Sequence, residues 1–260
     1  MSGVDGVSGQ VGRTALVTGA SRGIGQAIAA RLAAEGAMVI VHFGTDESGA
    51  AATVEAIERA GGTALAVRAE LGVGGDVETL LAGVEAGLAG LPLDILVNNA
   101  AAAPTGPLGA TTRAEFDHLF AVNVRAPYFL IEQALPLLRD GGRIITLSSV
   151  ATRMANPAQT AFAMTKAAVE TMSRTLASQL GPRGITVNAV APGATRTAAN
   201  GAVFDVPGLV EQIAGMTALD RLGGPGDVAD VVAFLASDAA RWITGQVVDA
   251  SGGLFLGPRV

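Results

Sequence analysis

The sequence contains no cysteine. That excludes disulfides and thiolate-bound metal, and makes a reducing, cytoplasmic setting the expected one. Charge is sparse, at 15% of the 260 residues, and its balance is acidic, with a formal net charge of −6. An acidic surface repels phosphates, so neither nucleic acid nor an anionic membrane is an expected partner. No apolar run approaches the roughly 18 residues of a membrane span. The first ten residues, MSGVDGVSGQ, lack the basic start and apolar stretch of a signal peptide. They read as a flexible polar tail ahead of one folded unit over residues 11–260. Aromatic residues amount to 4%, with a single tyrosine, Tyr128.

Hydrophobic residues, by contrast, make up half of the chain, enough for a substantial core. From Thr14 onward short β-branched or aliphatic runs alternate with longer Ala-rich stretches. The runs predict strands at Thr14–Thr18, Met38–Phe43, Thr63–Arg68, Ile95–Asn98, Arg143–Ser148, Thr186–Ala189 and Gln246–Asp249. Helical patterns fall near 23–35, 46–60, 75–89, 112–138, 158–180 and 226–237. Seven strands joined by crossovers imply an α/β fold with a mostly parallel sheet covered on both faces. No Pro/Gly linker divides the series, so one domain is expected. Its longest interruption, about 196–227, has a weakly helical middle at Val210–Met216 and reads as a lid over a functional site.

The first strand ends in Thr18-Gly19-Ala20-Ser21-Arg22-Gly23-Ile24-Gly25 and runs directly into a helix. Glycines at 19, 23 and 25 permit a sharp turn, close backbone approach to a pyrophosphate, and tight helix–strand packing. The helix start then offers unpaired N–H groups to the phosphates. An acidic residue usually closes the second strand of an NAD site, where it binds ribose hydroxyls. Phe43 stands there instead, and Asp46 lies beyond it. Arg22 is placed to pair with a 2′-phosphate, so NADP(H) is favoured over NAD(H).

Further motifs carry a family resemblance over Gly12–Gly253. Asn98-Asn99-Ala100-Ala101 follows the fourth strand, Asn123 sits in Asn-Val-Arg-Ala-Pro, and Ser148-Ser149 closes the fifth strand. Pro192-Gly193 with Thr195 and Thr197 follows the sixth strand. Thr244-Gly245 and Ser251-Gly252-Gly253 mark the last. In this order and spacing the chain resembles the short-chain dehydrogenases/reductases, especially the 3-oxoacyl-carrier-protein reductase-like members. The resemblance implies a doubly wound Rossmann fold, hydride transfer to a ketone or 3-oxoacyl group (or from its alcohol), and a homodimer or homotetramer. It assigns cofactor contacts to Gly19, Ser21, Arg22, Gly23, Ile24, Gly25, Phe43, Glu70, Asn99, Lys166, Pro192, Gly193, Thr195 and Thr197. Glu70 falls where an adenine-contacting aspartate is usual, and Ala101 replaces a usual glycine.

The family's catalytic set is Asn, Ser and a Tyr-x-x-x-Lys pair. Asn123, Ser149 and Lys166 match, while the tyrosine position is Phe162. A benzene ring keeps the packing but has no proton to give. Tyr128 should face elsewhere, His118 should face solvent, and Thr160 reads as a helix cap. Arg153 and Arg196 are candidates for contact with an acidic substrate, and Met154–Pro157 should edge the pocket. Two origins fit equally: an introduced Tyr→Phe exchange, or a natural variant with another proton source or none. Two other functions stay open beside the reductase: a non-catalytic dinucleotide-binding module, and a non-redox enzyme using Ser149 and Lys166.

Overall fold

A computed structural model describes residues 9–197 and 200–256, with the side chains of all but 202 and 203. Seven strands form one all-parallel sheet: β1 (Thr14–Val17), β2 (Met38–Phe43), β3 (Thr63–Arg68), β4 (Leu93–Asn98), β5 (Leu138–Leu147), β6 (Thr186–Pro192) and β7 (Val247–Ala250). Their spatial order is β3-β2-β1-β4-β5-β6-β7. The direction of winding reverses between β1 and β4, and at such a switch the loops leaving the strands part to form a crevice.

Strand residues divide by parity between two cores. Ala15, Val17, Val39, Val41, Ile95, Val97, Ile145 and Leu147 point to one face. Leu16, Ile40, Leu96, Ile144 and Val187 point to the other. The first face is covered by α1 (Gly23–Ala34), α2 (Glu47–Arg59) and α8 (Pro225–Ala236), the second by α3 (Asp76–Leu88), α5 (Ala126–Ala134) and α6 (Thr160–Leu180). Burial on both faces is why the strands read as unbroken apolar runs rather than alternating ones.

Several expectations need correction. The single helix expected over 112–138 is two, α4 (Arg113–Phe120) and α5, joined by a π-turn at Ala121–Arg125. Pro127 has no N–H for the Asn123 carbonyl four residues back, so the α-helical register cannot run through this point. Gln10, assigned to the tail, is fully buried: its side chain bonds Arg13 at 3.2 Å and Glu35 at 3.4 Å. Residues 1–8 of that tail lie outside the described residues. Thr160 begins α6 without a capping bond; Asn156 instead accepts from the Ala158 N–H at 3.0 Å. β5 begins five residues early because Leu138 pairs with Leu93 before a register shift.

The turn after β1 is held by a side chain from β2. Buried His42 accepts the Gly19 N–H at Nδ1 (3.0 Å) and donates from Nε2 to the Ala69 carbonyl (2.9 Å). These partners require the neutral Nε2–H tautomer. Burial lowers the His42 pKa from about 6.5 to about 4, with the Ala69 carbonyl opposing the shift.

Unfolded, this histidine takes a proton near pH 6.5, whereas folded it resists until about pH 4. Unfolding therefore binds a proton in this window, and the His42 contribution, complete above pH 6.5, declines as pH falls towards 4. Lowering pH from 7 to 5 should cost about 2 kcal/mol of unfolding free energy through this residue. Urea titrations of the parent and of His42→Asn at both pH values measure it, the difference shrinking in the variant. At the neighbouring helix start, a Cβ on Gly25 would lie 2.3 Å from the Gly19 carbonyl oxygen. Gly25→Ala should cost about 1–3 kcal/mol in the same titration at pH 7.

Candidate active site

All candidate residues lie at the carboxyl ends of the strands or in the segments that follow them. The glycine turn comes first. Gly19 has φ +63° and Gly23 φ +60°, a left-handed backbone that suits glycine. Asn99 braces this turn, its Nδ2 donating to the Thr18 carbonyl at 2.8 Å and the Gly19 carbonyl at 3.0 Å. Its amide is thereby committed to shaping the cradle. Helix α1 opens at Gly23 with no side-chain cap and no acidic residue in its first turn. Its leading N–H groups are what an anionic phosphate would satisfy, and a bare glycine lets that phosphate approach. These residues fit the diphosphate of a dinucleotide.

Adjacent positions are those expected on the adenosine side. Phe43 is buried in the core under α1 and α2, and Glu70 is exposed just past β3. Ser21 is buried, Ile24 half-buried, and Arg22 exposed. The Arg22 guanidinium lies 3.9 Å from Asp46, a distant and largely solvated pair. Asp46 itself caps α2 by accepting from the Gly49 N–H at 3.0 Å, and that bond holds its carboxyl below the usual range.

The long segment after β6 is tied together at its base. Arg196 N–H donates to the Gly223 carbonyl and Gly223 N–H to that of Ala194, each at 2.9 Å. Asn200 then ties Thr195 and Thr197 together, donating to the Thr195 carbonyl and accepting from the Thr197 backbone and hydroxyl. Pro192 and Gly193 lead into this knot; a Cβ on Gly193 would meet Ser251 at 2.8 Å. A cleft of about 660 Å³ borders Gly23, Arg196 and Thr197. The helix expected in the middle of this segment is present as α7 (Leu209–Met216), with Leu209, Val210 and Ile213 only half-buried. Residues 198 and 199 fall outside the described residues.

The four family positions converge around α6. Asn123, in the π-turn, accepts from the Ala102 N–H at 2.7 Å and donates to the Thr165 hydroxyl at 3.1 Å. Ser149 is half-exposed just beyond β5, its Oγ accepting from the Ala151 N–H at 3.2 Å. Lys166 is buried, and its Nζ donates to the Leu147 carbonyl at 2.8 Å. It also lies 5.4 Å from the centroid of the Phe162 ring. Burial pushes the ammonium pKa down to about 8, since a carbonyl dipole and a ring face replace water incompletely.

Two features went unread in the sequence. Lys166 is the chain's only lysine, the other 16 basic residues all being arginine. That composition was a visible signal, since a lone ammonium among arginines stands out in the sequence. The second is Glu170, one turn after Lys166. Its Oε1 accepts from Ser148 at 2.6 Å and Thr152 at 2.8 Å, bracketing Ser149 and fixing that loop to α6. No motif spacing points to it. Arg153 and Arg196, read as contacts for an acidic substrate, have internal partners instead, Asp249 at 3.1 Å and Asp205 at 3.3 Å. Tyr128 is exposed on α5, edge-on to Phe129.

Comparison with known proteins agrees with this geometry. Residues 19–255 match the family model described as Enoyl-(Acyl carrier protein) reductase. Versicolorin reductase of Emericella nidulans is 40% identical, the match covering 94% of this chain and 96% of that one. The 3-oxoacyl-[acyl-carrier-protein] reductase of Staphylococcus epidermidis is 38% identical, over 94% and 99%. Among solved structures, LugOII, a promiscuous reductase for C1 keto-reduction in lugdunomycin biosynthesis, is 53% identical with a TM-score of 0.92, covering 96% of this chain and all of that one. The angucycline C-6 ketoreductase LanV, with bound NADP, is 48% identical at the same TM-score, over 96% and 98%. A short-chain dehydrogenase/reductase from Serratia marcescens superposes at 0.88 with 34% identity, over 94% and 98%. With the seven-stranded parallel sheet and the glycine turn in place, the chain belongs to the short-chain dehydrogenase/reductase family of oxidoreductases.

Proposed function

We propose that the protein is an NADP(H)-dependent ketoreductase whose proton-transfer step is slowed by Phe162. The observation that carries this reading is the gathering of Asn123, Ser149 and Lys166 about α6, at the strand ends that also carry the glycine turn. When bound, the cofactor supplies hydride. The chain does the rest. The α1 N–H groups and the glycine turn hold the diphosphate, and Thr195 and Thr197 steady the nicotinamide end. Lys166 binds the ribose hydroxyls beside it, and Ser149 orients the substrate oxygen. Arg22 takes the 2′-phosphate, swinging from its loose partner Asp46. Phe43 removes the carboxylate that would repel that phosphate.

The substrate is a ketone on an apolar, fused-ring polyketide skeleton. The angucycline and lugdunomycin reductases support this class, matching at higher identity than the acyl-carrier-protein reductase. LanV has also been crystallised with rabelomycin. The half-buried Leu209, Val210 and Ile213 of α7 suit such a ligand, and the internally paired Arg153 and Arg196 leave it little need of acidic groups. Exposed Tyr128 and Phe129 on α5 and Met164 on α6 provide apolar surface for a dimer or tetramer.

Two measurements test the reading. NADPH consumption with a panel of polycyclic ketones should rise about 10²–10⁴-fold in Phe162→Tyr, the usual worth of a positioned general acid. Equal rates would remove the claim that Phe162 limits the reaction. NADPH bound without turnover by either protein would favour a non-catalytic module. Arg22→Ala should weaken NADPH binding about 10-fold or more while sparing NADH, the loss of one charged phosphate contact. Equal effects on both cofactors would sink the assignment of Arg22.

A further inference from the structure

A hydroxyl that must meet a carbonyl oxygen is only as well placed as the backbone that carries it, and Ser149 sits on a short turn at the end of β5. Around Ser149 itself the turn at Val150–Thr152 makes two long bonds, Ala151 N–H to the Ser149 Oγ and Thr152 N–H to the Ser149 carbonyl, each at 3.2 Å. A three-residue turn of this kind holds little shape of its own. It is fixed to α6, where Glu170 Oε1 takes the Ser148 hydroxyl at 2.6 Å and the Thr152 hydroxyl at 2.8 Å. The Thr152 hydroxyl also lies 3.1 Å from the Ser149 carbonyl, and the charged acceptor takes its one hydrogen. Ser148 is buried, and its backbone N–H is fixed to the Val190 carbonyl at 2.7 Å. Ser149 is thereby gripped from the residue before it and from the third residue after it.

Glu170 follows Lys166 by four residues and Phe162 by eight on α6, so the three run along one side of the helix. That side carries the phenol position, the ammonium and the acid that grips the serine loop. Glu170 is therefore the link that sets Ser149 against the other two. A glutamate placed only for solubility would reach into water; this one is half-buried and turned to two hydroxyls.

We propose that Glu170 is a positioning residue for the reduction, acting through Ser149 by keeping its hydroxyl in register with positions 162 and 166. This rests on the ketoreductase reading. Asn123 is bonded to Ala102 and Thr165, Lys166 to the Leu147 carbonyl, and Phe162 has no hydroxyl, so Ser149 carries the hydrogen bond to the substrate oxygen. The Ala151 N–H occupies a lone pair of its Oγ and leaves the hydroxyl hydrogen to donate. That bond strengthens as hydride arrives and negative charge gathers on the oxygen, so its placement acts on the transition state more than on binding. A displacement of about 1 Å at such a contact lowers the rate about 10²-fold. Removing the acceptor would also leave the buried Ser148 hydroxyl without its partner, and the loop would move to satisfy it.

The test is a cycle of variants in the full chain, with polycyclic-ketone reduction followed in the parent and in the Phe162→Tyr background. Glu170→Met, which keeps length but removes the acceptor, should lower kcat about 10–10²-fold while leaving the ketone KM and NADPH affinity within about threefold. Glu170→Gln, whose amide oxygen accepts the same two hydroxyls, should recover most of that loss. Thr152→Val removes one grip without touching the helix. It should show a smaller loss of the same kind, and it decides the question where Glu170→Met does not fold. In the Ser149→Ala background Glu170→Met should lower the rate less than about twofold further, because its action passes through the missing hydroxyl. Unchanged kcat in Glu170→Met, no recovery in Glu170→Gln, or the same fold-loss with and without the Ser149 hydroxyl overturns the positioning role. NADPH affinity falling in step with kcat does the same, by making Glu170 a general support of the fold. If the parent and Phe162→Tyr both bind NADPH and reduce no ketone, the ketoreductase reading fails and this proposal with it.

Discussion

A parallel sheet has to be covered on both faces, and that requirement decides where chemistry is possible in this chain. Strand residues go to one core or the other with no polar face between them. Helices seal both sides, so polar backbone and functional side chains are left at the strand ends. There the reversal of strand order between β1 and β4 separates the loops. The glycine turn, Asn99, Ser149 and the Pro192-Gly193 segment all emerge along this edge. Their proximity follows from topology, although they are up to 174 positions apart in sequence (193 − 19).

Holding one ammonium out of water is the second constraint, and it costs free energy that must be offset locally. Among the described residues, the Leu147 carbonyl and the Phe162 ring face are what replace the hydration of Lys166. Neighbouring groups are committed elsewhere and add little to that compensation. Glu170 lies one turn away, yet its carboxylate is engaged by Ser148 and Thr152 rather than neutralising the lysine. A carboxylate paired with Lys166 would raise its pKa and remove the very property that burial confers. The structure therefore keeps a nearby acid as a brace for the Ser149 loop.

How much of this was readable in advance depends on the range of the interaction. Strand runs and the glycine turn are local, and β2 and β3 were placed at their observed limits. The spacing from Ser149 to Phe162 to Lys166 also survives translation into structure, because a helix converts a four-residue interval into one face. What escaped was set by contacts between distant segments or by backbone register. The π-turn at Asn123 depends on what Pro127 withholds from a carbonyl. His42 looked like one more residue of an apolar strand, and its bonds to Gly19 and Ala69 join three strand ends. Gln10 sits in a polar, Gly/Ser-rich stretch, and its bonds to Arg13 and Glu35 accompany a burial the sequence does not signal. Internal partners for Arg153 and Arg196 were likewise invisible, since the sequence does not show that Asp249 and Asp205 come within reach.

Phe162 brings the two constraints together. A polar replacement at this position would have met Lys166 in a dry site and required a second hydrogen-bond partner of its own. A ring preserves the packing volume, and its negative face interacts favourably with the ammonium. The surrounding cradle can thus remain assembled without the phenol: Asn123 still holds Ala102 and Thr165, and Lys166 still reaches Leu147.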